Sequence, residues 1–230
     1  MFRPLIFRPK TFNLRPPTRQ EKREIFEKGD APPPSQEQLQ FFSKNRKAIL
    51  ESKLVPQLRK SRDVLHGAES RNTIVKQKIG QEEAKKQNLI TRTYDYDVWS
   101  KMPRKRAVEI ENEIDKEFGA DVAQVEKLPV GKDAPDYQSS KKGKKIERYG
   151  VVTPLTPAGK QEVDYASFPV RSFATNTING VRHETLKSSY RRAQEDKDRP
   201  IRSERAYREI RNAERLDRIL RQRGKRGVLR

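Results

Sequence analysis

The sequence contains no cysteine, which removes disulfides, thiol catalysis and cysteine-built zinc sites from consideration. Histidine occurs twice, as His66 and His183, too seldom for a histidine-based metal cluster. Apolar residues are scarce: they make up 32% of the chain, against roughly 45–50% (with Gly) in an average globular domain. No apolar run approaches the roughly 18–20 residues that span a bilayer. Pro4 and Pro9 interrupt the only stretch resembling a secretory leader. These absences predict an intracellular chain with no membrane partner, no cofactor and no small-molecule substrate.

The chain has 230 residues, enough by length for one or two domains, yet 37% of it is charged. So little apolar surface does not offset the entropy of ordering every residue in one core. The composition therefore predicts a mainly α chain with extended irregular arms, no single compact core and one possible short β-hairpin. Its formal charge is +20, from 52 Lys and Arg against 32 Asp and Glu. Such an excess attracts an anionic partner: RNA, DNA, an acidic membrane or an acidic protein lattice.

The strongest concentration of charge is Arg199–Arg230, with eleven Arg and one Lys against four acids. On a helix, Ala206, Ile210, Ala213, Leu216 and Leu220 fall along one side. Arg205, Arg208, Arg211, Arg215 and Arg218 fall on the other. Three i,i+4 pairs, Glu204–Arg208, Glu214–Arg218 and Asp217–Arg221, allow a solvated helix instead. Most of these arginines have no such acid, however, and the planar guanidinium fork suits phosphate better than an ammonium does. Arg221, Lys225 and Arg226 continue the basic run past the expected helix end at Gly224.

In chain order the sequence divides into five segments. Residues 1–34 read as an extended basic, proline-rich arm, with Arg3 and Arg8 among its phosphate-binding candidates and a short helix around 19–28. Residues 35–67 read as a helix opened by the capping box Ser35–Gln38 and broken or kinked at Pro56. His66 then lies beside a helix C-terminus as a dipole partner. Residues 68–127 contain a linker, the aromatic segment Thr93–Trp99 and an amphipathic acidic helix ending at Gly119. Asp95 and Asp97 would repel phosphate, so Trp99 is predicted to anchor on a protein surface. Ile110, Ile114 and Phe118, on the apolar stripe of the acidic helix, are predicted to meet a protein neighbour or to clamp the Arg helix internally. Residues 128–198 read as a linker with the flexible basic loop Lys141, Lys142, Lys144 and Lys145. That segment also holds a candidate hairpin turning at Asn179-Gly180. His183 on the hairpin reads as an exposed polar side chain. Residues 199–230 are the Arg helix and tail.

No motif places a nucleophile, base or metal set, so the sequence predicts a protein that is not an enzyme. The reading it favours is a structural, RNA-associated component of a large ribonucleoprotein assembly, such as a ribosome, its precursor or a spliceosome. RNA and neighbouring protein subunits are the expected partners, in the nucleus or nucleolus, with the mitochondrion as the alternative. A cytoskeletal or microtubule-associated protein on an acidic lattice is the alternative function.

Overall fold

The computed structural model of the chain describes residues 31–130, 146–158, 160–169, 173–198 and 203–229. Ser35 opens the first helix, α1 (Gln36–Lys60), with the predicted capping box. Its hydroxyl accepts from the Gln38 amide at 3.2 Å, and the Gln38 side chain accepts from the Ser35 amide at 2.7 Å. The expected break at Pro56 does not occur. Leu54 and Leu58, on either side of it, are buried in one cluster with sheet residues. That packing outweighs the roughly 3 kcal/mol that proline costs inside a helix.

Twelve further elements follow: β1 (Val64–His66), α2 (Gly67–Ile79), α3 (Gln81–Lys86), β2 (Tyr96–Ser100), α4 (Pro103–Phe118), β3 (Gln124–Lys127), β4 (Arg148–Val152), β5 (Val163–Ser167), β6 (Thr175–Ile178), β7 (Val181–Glu184), α5 (Leu186–Asp196) and α6 (Ser203–Gln222). The strands form one seven-stranded sheet in the order β3-β4-β5-β2-β1-β7-β6. β2 with β5 and β1 with β7 are parallel, and the remaining neighbours are antiparallel. The fold is therefore α/β with a mixed sheet, which corrects the expectation of a mainly α chain without a single core.

Alternation along each strand separates two faces. Tyr96 and Val98 of β2 join Leu65, Val151, Val163, Tyr165 and Val181 in a core closed by α1 and α4. Trp99, on the opposite face of β2, joins Val64, Ile146 and Ala166 in a second cluster. It is only 4% exposed, so it anchors inside this chain and not on a partner's surface.

The apolar stripe of α4 is likewise taken up internally. Ile110 and Ile114 are buried in the main core, and the Phe118 ring stands edge-on to Phe41 and Phe42 at 6.2 and 5.9 Å. No protein neighbour is needed to cover them, which corrects that expectation. Two carboxylates of this helix also work locally: Asp115 accepts from the Val122 and Ala123 amides, and Glu111 accepts from that of Val125. They fasten the connection into β3, and Gly119 ends the helix in the left-handed conformation as read.

The predicted seam of α6 is buried from Ala206 to Leu220, against residues of α2 and α5. The predicted hairpin is present as β6 and β7, with Asn179 and Gly180 at φ 51° and 80°, the signs a type I′ turn requires. β7 does not stay a marginal ribbon, because it pairs with β1 in the middle of the sheet. The short helix expected near residues 19–28, the candidates Arg3 and Arg8, and the loop Lys141, Lys142, Lys144 and Lys145 lie outside the described residues.

Candidate functional site

Three neighbouring strands place polar residues in one row. His66 of β1 pairs with Asp97 of β2, and Asp97 pairs with Asp164 of β5. Paired residues face the same side of a sheet, here the side away from the α1–α4 core. Asp95, in the bend ahead of β2, joins them. Above this row α5 and α6 contribute Arg192, Asp196, Arg205 and Glu209, and β4 contributes Arg148, around a cavity of about 120 Å³.

Gly67, first residue of α2, has φ +69° and lies so close to Asp97 that a Cβ there would collide with the carboxylate. Only glycine lets the helix start approach the acid in this way. The unpaired amides of a first helical turn favour negative charge beside them.

The acids are crowded. Burial, then the nearby charges of Asp95 and Asp164, push Asp97 up to about 7, against the pull of Arg205 and Arg71. Asp164, 2% exposed, is raised by burial and lowered by Arg148. Arg148 grips it with a fork: Nε lies 3.0 and 2.9 Å from the two carboxylate oxygens, and Nη2 lies 2.5 Å from Oδ2. Asp95 accepts a hydrogen bond from Thr93 Oγ1 at 3.2 Å. Neither Asp95 nor Asp97 has an ion-pair partner among the described residues.

The guanidiniums are held in place by acids of their own. Glu209 receives Arg205 at 3.0 Å and Arg71 at 2.8 Å, and these charges, with Arg192, hold its carboxyl below the usual range despite burial. Arg192 pairs with Glu184 at 2.7 Å and stands 5.2 Å from the Trp99 ring centre. The result is a set of oriented cations beside a set of crowded acids.

Both histidines differ from their sequence reading. His66 ends β1 and precedes α2, so it is at a helix N-terminus and not a C-terminus. It stacks on Trp99 at 4.1 Å, and its Nε2 is buried without a hydrogen-bond partner among the described residues. Burial, then Arg192, Arg205, Arg71 and Arg148, hold it well below its usual pKa, so the imidazole is neutral. His183 is buried, not exposed, and its Nδ1 meets Ser70 Oγ at 3.3 Å. Burial pushes it down to about 4.

Of the arginines predicted to bind nucleic acid, only Arg205 among the described residues reaches the cavity. Arg208, Arg211, Arg215 and Arg218 are exposed along the outside of α6, with Arg215 donating to the Gln87 amide oxygen at 3.1 Å. Arg221 pairs with Asp217 at 2.6 Å, and Lys225 and Arg226 are exposed beyond the helix. Trp99 lies beside the site, while Ile110, Ile114 and Phe118 lie on the far side of the sheet. Sequence reasoning missed Gly67, Asp95, Asp97, Arg148, Asp164 and Arg192. The available signal was Asp95-Tyr96-Asp97-Val98, in which acids alternate with apolar residues as on a half-buried strand.

The donor chemistry is that of a hard divalent cation, which takes carboxylate oxygens. Among the described residues, no three acidic or histidine side chains stand at separations that would hold one ion. Arg148 occupies Asp164, which leaves Asp95 and Asp97 as the carboxylates of the row without an ion-pair partner among the described residues. Among the described residues, no helix is long and apolar enough to cross a membrane.

No family model and no curated protein matches the sequence. Among solved structures, the chain is similar to the crystal structure of the Megavirus polyadenylate synthase, at a TM-score of 0.50 and 14% identity over 89% of this chain. The chain spans 39% of that protein's length. At such identity the likeness is one of fold. The sequence reading of a structural ribonucleoprotein component, its cytoskeletal alternative and the expectation of no enzymatic role are corrected by this likeness. The chain shares its fold with an enzyme and carries an acid-and-arginine cavity on one face of the sheet.

Proposed function

We propose that this chain is a nucleotidyl-transfer unit that adds nucleotides from a nucleoside triphosphate to the 3′ end of an RNA acceptor. The observation that carries this reading is the pairing of Asp97 with Asp164 on adjacent parallel strands, with Asp95 beside them and Arg192 and Arg205 facing them. The fold shared with a polyadenylate synthase supports the choice of reaction.

In such a reaction the acceptor oxygen forms a bond to the α-phosphorus, the bond to the bridging oxygen breaks, and pyrophosphate leaves. Arg192 and Arg205 are held by Glu184 and Glu209 in positions to meet phosphate oxygens without reorganising. Gly67 keeps the start of α2 open to the same charges. Asp95 and Asp97 would hold the divalent cation, whose chemistry is to neutralise phosphate oxygens and make the acceptor hydroxyl more acidic. The acceptor's proton passes to a carboxylate of the cluster. The exposed arginines of α6, Arg208, Arg211, Arg215 and Arg218, supply phosphate contacts farther along the RNA.

The test is extension of a 5′-labelled single-stranded RNA by the full chain with ATP and Mg²⁺ or Mn²⁺. Extension is expected for the original and a loss of at least about 100-fold for Asp97→Asn and Asp164→Asn, each still unfolding in one cooperative transition above the assay temperature. An original protein that neither extends RNA nor binds ATP would overturn the reading.

A further inference from the structure

Beside the carboxylate cavity lies a second, larger one of about 490 Å³. Its apolar wall is Trp99, Pro169 and Phe173, and its polar side carries Lys187, Arg191 and Arg192 of α5 together with the carboxylates of Glu184 and Glu195. Arg192 lines both cavities, so the two are neighbours across one guanidinium. We infer that this groove seats the 3′-terminal nucleotide of a single-stranded RNA acceptor and presents its hydroxyl toward Asp97. The inference rests on the nucleotidyl-transfer reading above and gives the acceptor a place distinct from that of the triphosphate.

Three observations carry it. The first is size: a groove of about 490 Å³ admits a nucleotide, whereas about 120 Å³ beside the acids suits phosphates and a cation. The second is chemistry. Trp99 is covered by His66 on one side, and Phe173 packs against it at 4.5 Å. Phe168 stacks on Phe173 at 5.9 Å, so the half-buried edge of Phe173 and Pro169 are the parts of the wall left for a base. Lys187 and Arg191 have no carboxylate partner among the described residues, whereas Arg192 is neutralised by Glu184. Aromatic wall and unpaired cations together are how proteins hold single strands without reading their sequence. The third is continuity: a strand lying in the groove ends at Arg192, where the transfer chemistry begins.

The test uses the full chain and a fluorescein-labelled 12-nucleotide oligoadenylate, with binding followed by anisotropy in parallel with binding of a fluorescent ATP analogue. The double variant Lys187→Ala/Arg191→Ala is expected to weaken RNA binding about tenfold while ATP binding stays within about twofold. Both side chains sit on the outer turn of α5, and an unchanged thermal melt confirms that the variant is folded. RNA affinity within twofold of the original overturns the inference. An equal loss for RNA and ATP also overturns it, because the groove would then belong to the triphosphate. The double-stranded form of the same length is expected to bind more weakly than the single strand, and the reverse preference would also count against the groove. If the variants behave as expected but the original transfers no nucleotide, the acceptor site stands and the transfer reading falls. If the original extends RNA with an acceptor affinity indifferent to Lys187 and Arg191, the transfer reading stands and the groove falls.

Discussion

Asp97 concentrates the conflict in the site, because a buried acid among other acids resists ionisation. Its pKa, raised to about 7 from an ordinary 3.8, lies above that of the unfolded chain. Between those values the folded chain holds a proton that the unfolded chain has released. Stability from this group is thus full below about pH 4 and is lost as the pH rises through about 7. Asp97→Asn is expected to melt progressively higher than the original from pH 4 to pH 7, and a difference constant with pH would show that Asp97 titrates as in an open chain. Arg148 carries the opposite risk. Replacing it by Ala leaves the Asp164 carboxylate, 2% exposed, without its fork. The expected loss is about 3–5 kcal/mol, measurable by urea unfolding, and a loss below about 1 kcal/mol would mean that water replaces the guanidinium. Gly67→Ala should lower both stability and transfer, since φ +69° is strained for alanine and its Cβ collides with Asp97.

At the scale of elements, the two faces of the sheet have different purposes. On the α1–α4 face, Ile114 is fully buried, and Ile114→Ala is expected to cost about 2–5 kcal/mol in chemical unfolding. On α6 the exposed Arg208, Arg211 and Arg218 should be nearly neutral for folding. Their replacement by Gln should instead flatten the salt dependence of RNA binding, by about 0.7 in log–log slope per lost single-strand contact. An unchanged slope would place the RNA elsewhere. What the sequence made legible was local: the Ser35 cap, the Gly119 stop, the Asn179-Gly180 turn and the apolar seam of α6 each depend on residues within a few positions. The sheet was not legible, because strands such as Val64–His66 are too short to show a period. Their partners are also distant, with Val64 beside Arg182 and Asp97 beside Asp164. The acids of the site suffered from a different ambiguity. Asp95 and Asp97 were visible as charges that repel phosphate, and only the arrival of Arg192 and Arg205 from α5 and α6 makes the cavity one of mixed charge.

For the molecule as a whole, β1 lies between β2 and β7, so segments more than a hundred residues apart share one ladder. Unfolding of the described body is therefore expected to be a single cooperative transition, with fluorescence of the one Trp and far-ultraviolet dichroism coinciding. Separate midpoints would divide the sheet into independent units. The low apolar fraction misled the reading of compactness because an average conceals placement. Tyr165, Phe42 and Leu50 are among the largest side chains fully removed from water, and polar groups such as Glu162 are buried with partners.

The order in which the chain supplies the residues of the cavity also fixes a sequence of events during synthesis. The ribosome makes Gly67 first, then Asp95 and Asp97, then Arg148 and Asp164, and later Arg192, Arg205 and Glu209. A growing chain thus displays Asp95 and Asp97 well before it owns Arg192 and Arg205. Until α6 leaves the exit tunnel the cavity lacks one of its walls, so birth order itself decides when a closed pocket first exists.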